Sequence, residues 1–306
     1  MKRTKIFFTL LCASFVCTLT FQFGCSKDRI ETKPLNSYSS PNNYLNSKKQ
    51  TEQQYVIDSG GTCPLTAQQG TQLCMANTCL KFPNATGNDS VHFPYTIGII
   101  EIYKPKDMIY AQMPTVASGN ILETAGEVRV RAYKNNTELA LRPGCFYTIK
   151  MPTASPQNYM QAYYGGDGDN YSDWVNNPGP AVNSNFADTT TGYYSNSILK
   201  FGWLNCDYNR AAATNYNLTF TSSTDELTNV AIFVYFPSTK TVMQVFNLVS
   251  GSIPNGSSVK IIAIGVKADG SLYKFYKTET VTASASIEVT MESTSDADLT
   301  TLLDGL

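Results

Sequence analysis

From Ile97 onward the apolar residues of this chain recur at alternate positions, and turn-forming residues interrupt the pattern at short intervals. Successive side chains of a strand point to opposite faces, so period two specifies half-buried strands and commits the chain to sheets rather than helices. Glu127 to Tyr133 is the clearest case, with Val128, Val130 and Ala132 on one face and Arg129 and Arg131 on the other. Asn135-Asn136 follows, a pair that tolerates positive φ, and Glu138 to Leu141 resumes the pattern, which predicts a hairpin. A second hairpin is predicted where Val259 to Lys267 and Leu272 to Tyr276 flank Asp269-Gly270. Further strands are expected over 97–103, 145–151, 216–221, 230–236, 241–248 and 287–291. Helical spacing is confined to 295–303, where Ser295 and Asp298 stand at capping-box distance ahead of Leu299, Leu302 and Leu303.

Many short strands between turns indicate an all-β fold of antiparallel sandwiches. The expected organisation is two Ig-like β-sandwich domains, at 60–155 and 198–306, the second closing on a short C-terminal helix. Between them, 156–197 is rich in Gly, Asn, Asp, Tyr and Pro without a strand pattern and reads as a linker or a functional loop. Residues 25–59 lack periodic apolar residues and read as a flexible tether.

Lys2, Arg3 and Lys5 precede an apolar run from Ile6 to Phe23 that ends at Gly24-Cys25, the layout of a secretory signal peptide over 1–24. The run contains Thr9, Thr18, Thr20 and Gln22, which suits a signal better than a spanning helix. Cys25 directly after Gly24 resembles a lipobox, with Gln22 where Leu is usual, and so implies a diacylated Cys25 as first mature residue and a membrane attachment through its lipid. Ser26-Lys27-Asp28 resembles the export signal that places lipoproteins of Bacteroidota-type bacteria on the outer membrane facing the cell exterior. Ile100-Glu101-Ile102-Tyr103, Asp107-Met108-Ile109, Leu122 to Glu127, Met151-Pro152 and Gly202 to Asp207 together resemble an uncharacterised family of surface-exposed lipoproteins of such bacteria. The resemblance spans residues 80–270, with Ala125-Gly126 where Gly-Gly is common, and implies a β-sandwich on the cell surface. It brings no catalytic motif and no ligand.

Removing the signal takes Lys2, Arg3 and Lys5 from 23 basic residues and nothing from the 24 acidic ones, so the mature chain is mildly acidic and nucleic acid is not an expected partner. His92 is the single histidine, so a Ser-His-Asp or Cys206-His nucleophile would have to use it, and no His-rich metal site can form. No enzyme activity, cofactor or metal is expected. Asp167 to Asp173 alternates carboxylates as a calcium loop does, but Ser172 and Pro178 occupy the positions that need Gly and Glu. After Cys12 and Cys17 leave with the signal, Cys63, Cys74, Cys79, Cys145 and Cys206 remain beside the acylated Cys25. A disulfide from Cys63 to Cys74 or Cys79 is expected, and the odd number leaves at least one thiol over. Asp89-Ser90-Val91 and Asp188-Thr189-Thr190 resemble the acceptor sites for O-glycosylation in Bacteroidota-type exported proteins.

The stretch 156–197 is loaded with aromatics, and Tyr163, Tyr164, Tyr171 and Trp174 are the candidate ligand-binding residues: exposed and coplanar, they would stack on sugar rings. The alternative is that they pin a long loop to the core. Taken together, these features predict a non-catalytic binding or structural module of the cell envelope, with a glycan or an envelope protein as partner. Two other readings stand beside it: a glycan-binding lipoprotein accompanying a polysaccharide uptake system, and a fimbrial or adhesin-like subunit offering an edge strand.

Overall fold

The computed structural model describes residues 38–61, 63–85, 90–166, 174–176 and 192–306. The signal segment, Cys25, Tyr171, the carboxylate loop 167–173, Asp89 and Asp188-Thr189-Thr190 lie outside these residues.

Residues from Tyr38 onward form one compact unit. It opens with α1 (Pro41–Ser47), started by Ser40, whose hydroxyl accepts from the Asn43 amide, and by a proline at the first turn. There follow β1 (Gln53–Ile57), β2 (Leu65–Thr66), β3 (Gln72–Cys74), β4 (Tyr95–Ile102), α2 (Pro105–Ala111) and β5 (Asn120–Lys134). Then come β6 (Tyr147–Pro152), β7 (Gln161–Tyr164), β8 (Tyr193–Ile198) and β9 (Gly202–Asn209). The chain ends with β10 (Val230–Phe236), β11 (Thr241–Val245), β12 (Ser257–Val266), β13 (Leu272–Val281), β14 (Glu292–Thr294) and α3 (Asp296–Asp304).

The strands form sheets of order β1-β4-β5-β9-β7, β8-β6-β3-β2 and β11-β10-β12-β13-β14, each antiparallel at every junction. Leu218–Thr221 and Ala285–Glu288 pair in parallel. Alternation decides what each face meets. Val128, Val130 and Ala132 of β5 pack with Tyr147, Ile149 and Met151 of β6 in one core. On the other face of that sheet Ile100, Ile102 and Trp203 join Met108 and Ile109 of α2, Leu299 and Leu303 of α3, and Phe233 and Tyr235 of β10. Ile232 and Val234 point the opposite way, to Leu218, Phe220 and Ile287. Both faces of β10 are covered, which is why 230–236 reads as an unbroken apolar run.

The predicted hairpins are present: Asn135 and Asn136 carry positive φ between β5 and its partner Thr137–Glu138, and Gly270 does so between β12 and β13. The expected C-terminal helix is α3, capped by Ser295, whose hydroxyl accepts from the Asp298 amide. Cys63 pairs with Cys74 and Cys79 with Cys145, leaving Cys206 as a buried free thiol.

Two boundaries differ from expectation. Residues 38–57, assigned to the tether, are folded, and Tyr44 and Leu45 are fully buried, because a few apolar side chains suffice once the body supplies their partners. Residues 193–209, assigned partly to the linker and partly to the second domain, complete the sheets of the first half as β8 and β9, and β7 lies within the expected linker. These strands hide their alternation because polar residues stand at buried positions: Asn196, Asn205 and Asp207 are all interior.

One bulge sets up the later chemistry. Asn205 pairs with Glu127 but Asp207 with Thr124, so Ala125 and Gly126 together stand opposite Cys206 and β5 carries one extra residue. Gly126 has φ +132°, and a Cβ there would strike the Tyr103 ring, so only glycine fits.

Glu101 shows how a buried charge can be satisfied by backbone. It is fully buried, and its oxygens accept from the Thr71 amide at 2.9 Å, the Gln69 amide at 2.7 Å and Gln53 Nε2 at 3.0 Å, fastening the 67–71 turn to β4. Glu101→Gln removes the charge from three such bonds and is expected to cost about 2 kcal/mol. Urea unfolding of the variant measures it, and an unchanged midpoint would count against the carboxylate as the fastening.

Candidate functional site

The aromatic residues singled out in the sequence do not form an exposed platform. Tyr163 and Tyr164 are adjacent on β7, so their rings leave the sheet on opposite faces; each is buried, in a different core. Trp174 is buried beside Tyr163's core neighbours, with Nε1 donating to the Pro114 carbonyl at 2.8 Å. The three rings are interior packing, so the reading in which they pin this stretch to the core holds for them and the stacking surface does not. His92 is exposed, and its carbonyl accepts from Lys134 Nζ at 3.2 Å. Burial pushes the Cys206 thiol well above its ordinary range, the opposite of what an activated nucleophile requires.

A cleft of about 690 Å³ opens instead where three segments meet. Tyr159, Gln157 and Ser155 come from the chain after β6, Glu123 and Thr124 from β5 just before the bulge, and Ser238 to Lys240 from the turn joining β10 to β11. Its wall is held by one backbone bond and one from a side chain: the Thr124 amide donates to the Thr239 carbonyl at 3.0 Å, and the Thr241 hydroxyl donates to the Leu122 carbonyl at 2.5 Å. The Tyr194 hydroxyl accepts from the Gln157 amide at 2.8 Å, fixing the opposite wall.

At one end the Tyr159 ring lies 4.7 Å from that of Tyr208, tilted by 56°. The Arg210 guanidinium covers both, 5.8 Å from the Tyr159 centroid and 5.5 Å from that of Tyr208, while its Nε reaches Glu123 at 2.6 Å. The Tyr159 hydroxyl donates to the other Glu123 oxygen at 3.1 Å. Partial burial and the Glu123 carboxylate raise the Tyr159 phenol, keeping it a donor at neutral pH. Among the described lining residues Glu123 is the carboxylate, and it is already engaged by Arg210 and Tyr159. A cleft of hydroxyls, amides and a partly exposed ring suits a polar ligand rich in hydroxyl groups. Of its components Gln157, Tyr159 and Tyr194 stood in the aromatic-rich stretch; Glu123, Tyr208 and Arg210 come from other segments, so no sequence spacing joins them.

Beneath Thr124 lies a second cluster. Glu127 and Asp207 are fully buried, and among the described residues their four carboxyl oxygens have no hydrogen-bond partner, nor has Asn205 Nδ2. The Thr124 hydroxyl, next to Asp207, gives its proton to Asn205 Oδ1 at 3.0 Å instead. Burial pushes both carboxyls well above the usual range, and the neighbouring Asp207 charge adds to the effect on Glu127. Further along the same face Arg129 lies over the Trp203 ring, 5.4 Å from its centroid, and pairs with Glu52 at 3.3 Å.

No protein family, no curated protein and no solved structure matches this chain.

Proposed function

We propose that the chain is an outer-membrane lipoprotein, held by a lipid on Cys25 and facing the cell exterior, that serves as a non-catalytic binding module of the envelope. Its paired sheets are read as stacked β-sandwich layers, and the ligand site is the cleft at Tyr159. The observation that carries the reading is the composition of that cleft: a wall of hydroxyls and amides, with the rings of Tyr103, Tyr159 and Tyr194 and one carboxylate already engaged by Arg210. The Gly24-Cys25 junction and Ser26-Lys27-Asp28 support the address. A hydroxyl-rich ligand, a glycan above all, meets such a wall with hydrogen bonds and a ring face.

The test is a glycan array and titration calorimetry on residues 26–306, with Tyr159→Ala and Gln157→Ala alongside. Each variant is expected to weaken a selected glycan about tenfold or more, near 1.4 kcal/mol, with unchanged circular dichroism. Selective binding that survives both substitutions would place the site elsewhere, and no binding by the folded chain would count against a glycan.

A further inference from the structure

A turn at the far end of β11 carries three exposed apolar side chains: Phe246, Leu248 and Val249 are 49%, 36% and 44% exposed. Burying them is not what shapes the turn, because backbone bonds hold it. The Val249 amide donates to the Phe246 carbonyl at 3.1 Å, the Phe220 amide to the Leu248 carbonyl at 2.8 Å, and the Ser250 amide to the Leu218 carbonyl at 2.9 Å. Asn217 Nδ2 donates to the Ser250 and Gly251 carbonyls. Asn247 and Leu248 have φ of 52° and 59°, a conformation costly for leucine that the surrounding bonds maintain. The result is a fixed apolar tip, and residues 245–250 carry no charge.

Its position says what can cover it. Phe246 and Asn247 share a pocket of about 240 Å³ with Ser40, Pro41 and Asn42, the point at which the chain enters the folded body. Twelve residues, 26–37, separate that entry from Cys25. Twelve residues reach about 40 Å at most when fully extended. The turn 238–240, which lines the cleft, sits at the other end of β11, about 15 Å away at the rise of a strand.

We propose that the turn 246–249 inserts its apolar side chains into the bilayer that carries the lipid on Cys25. The proposal rests on the lipoprotein reading above. The tip gives the body a second point of membrane contact, and it directs the cleft away from the bilayer. Without charge in the turn the contact is apolar and insensitive to salt.

The test couples Cys25 of residues 25–306 to a maleimide lipid in phosphatidylcholine vesicles, supplying the tether chemically while Cys206 stays buried and the other cysteines stay paired. Phe246→Trp and Phe146→Trp report on lipid contact; Trp174 and Trp203 are buried and serve as background. Doxyl-labelled phosphatidylcholine is expected to quench the Phe246→Trp signal at least about twofold more than that of Phe146→Trp, equally at low and high salt. Equal quenching of the two, or none, overturns the proposal. So does an emission shift of Phe246→Trp that tracks protein concentration without vesicles, which would show a second copy covering the tip. Intact mass of the chain from its native envelope separately reports acylation of Cys25; an unacylated Cys25 removes the lipoprotein reading and leaves the vesicle result unaffected.

Discussion

Replacing Glu127 by Gln and Asp207 by Asn together is expected to stabilise the fold at pH 7, by about 2 kcal/mol or more, and to leave its stability at pH 4 nearly unchanged. Both carboxyls are raised by burial, so in the fold they hold protons that the unfolded chain releases above the ordinary carboxylate range. The sign follows. Below the unfolded values both states are protonated and the pair contributes no pH dependence. As pH rises beyond them the unfolded state loses protons that the folded state keeps, and stability falls until the folded values are reached. The slope is about 1.4 kcal/mol per pH unit for each carboxyl that stays protonated in the fold. The amides keep shape and volume without the ionisation, so the difference between wild type and variant should grow from pH 4 towards neutrality. Urea unfolding at several pH values measures it. A variant less stable than wild type at pH 7 would mean that the pair is ionised and compensated, although its oxygens have no hydrogen-bond partner among the described residues.

Removing the Cys79–Cys145 bridge by paired substitution to Ser is expected to cost more than removing Cys63–Cys74. The two bridges close loops with sequence separations of 66 and 11 residues. Loop-closure entropy puts them at about 4 and about 3 kcal/mol. Backbone bonds join the same two segments beside the longer bridge: the Arg142 amide donates to the Cys79 carbonyl at 2.9 Å, and Leu80–Lys81 pairs with Ala140–Leu141. The loss should therefore fall on the unfolded state, which the open chain makes more favourable, and the denaturation midpoint of the oxidised protein against each double variant decides it. A Cys63–Cys74 variant that is the less stable of the two would show that local geometry, rather than loop length, dominates.

What the sequence determined by itself is local. Period-two alternation specified the strands at 127–133, 259–267 and 272–276, Asn135-Asn136 and Asp269-Gly270 specified their turns, and Ser295 with Asp298 specified the last helix, because side-chain direction, positive φ and capping depend on residues a few positions apart. Tertiary structure decided the rest. Tyr163, Tyr164 and Trp174 read as a ligand surface because aromatic rings among Asn and Gly look exposed in one dimension; whether a ring is covered depends on what packs over its sheet face, here α2 and β10 on one side and β6 on the other. The strands β7 and β9 escaped notice because both their faces are largely buried, and β8 and β9 because interior positions are polar, Asn196, Asn205 and Asp207, which erases the apolar alternation that betrays a half-exposed strand. The cleft is the same case at the level of function: Glu123, Tyr159, Tyr208 and Arg210 meet only because β9 pairs with β5 across a bulge, and a register between residues more than seventy positions apart leaves no spacing to read.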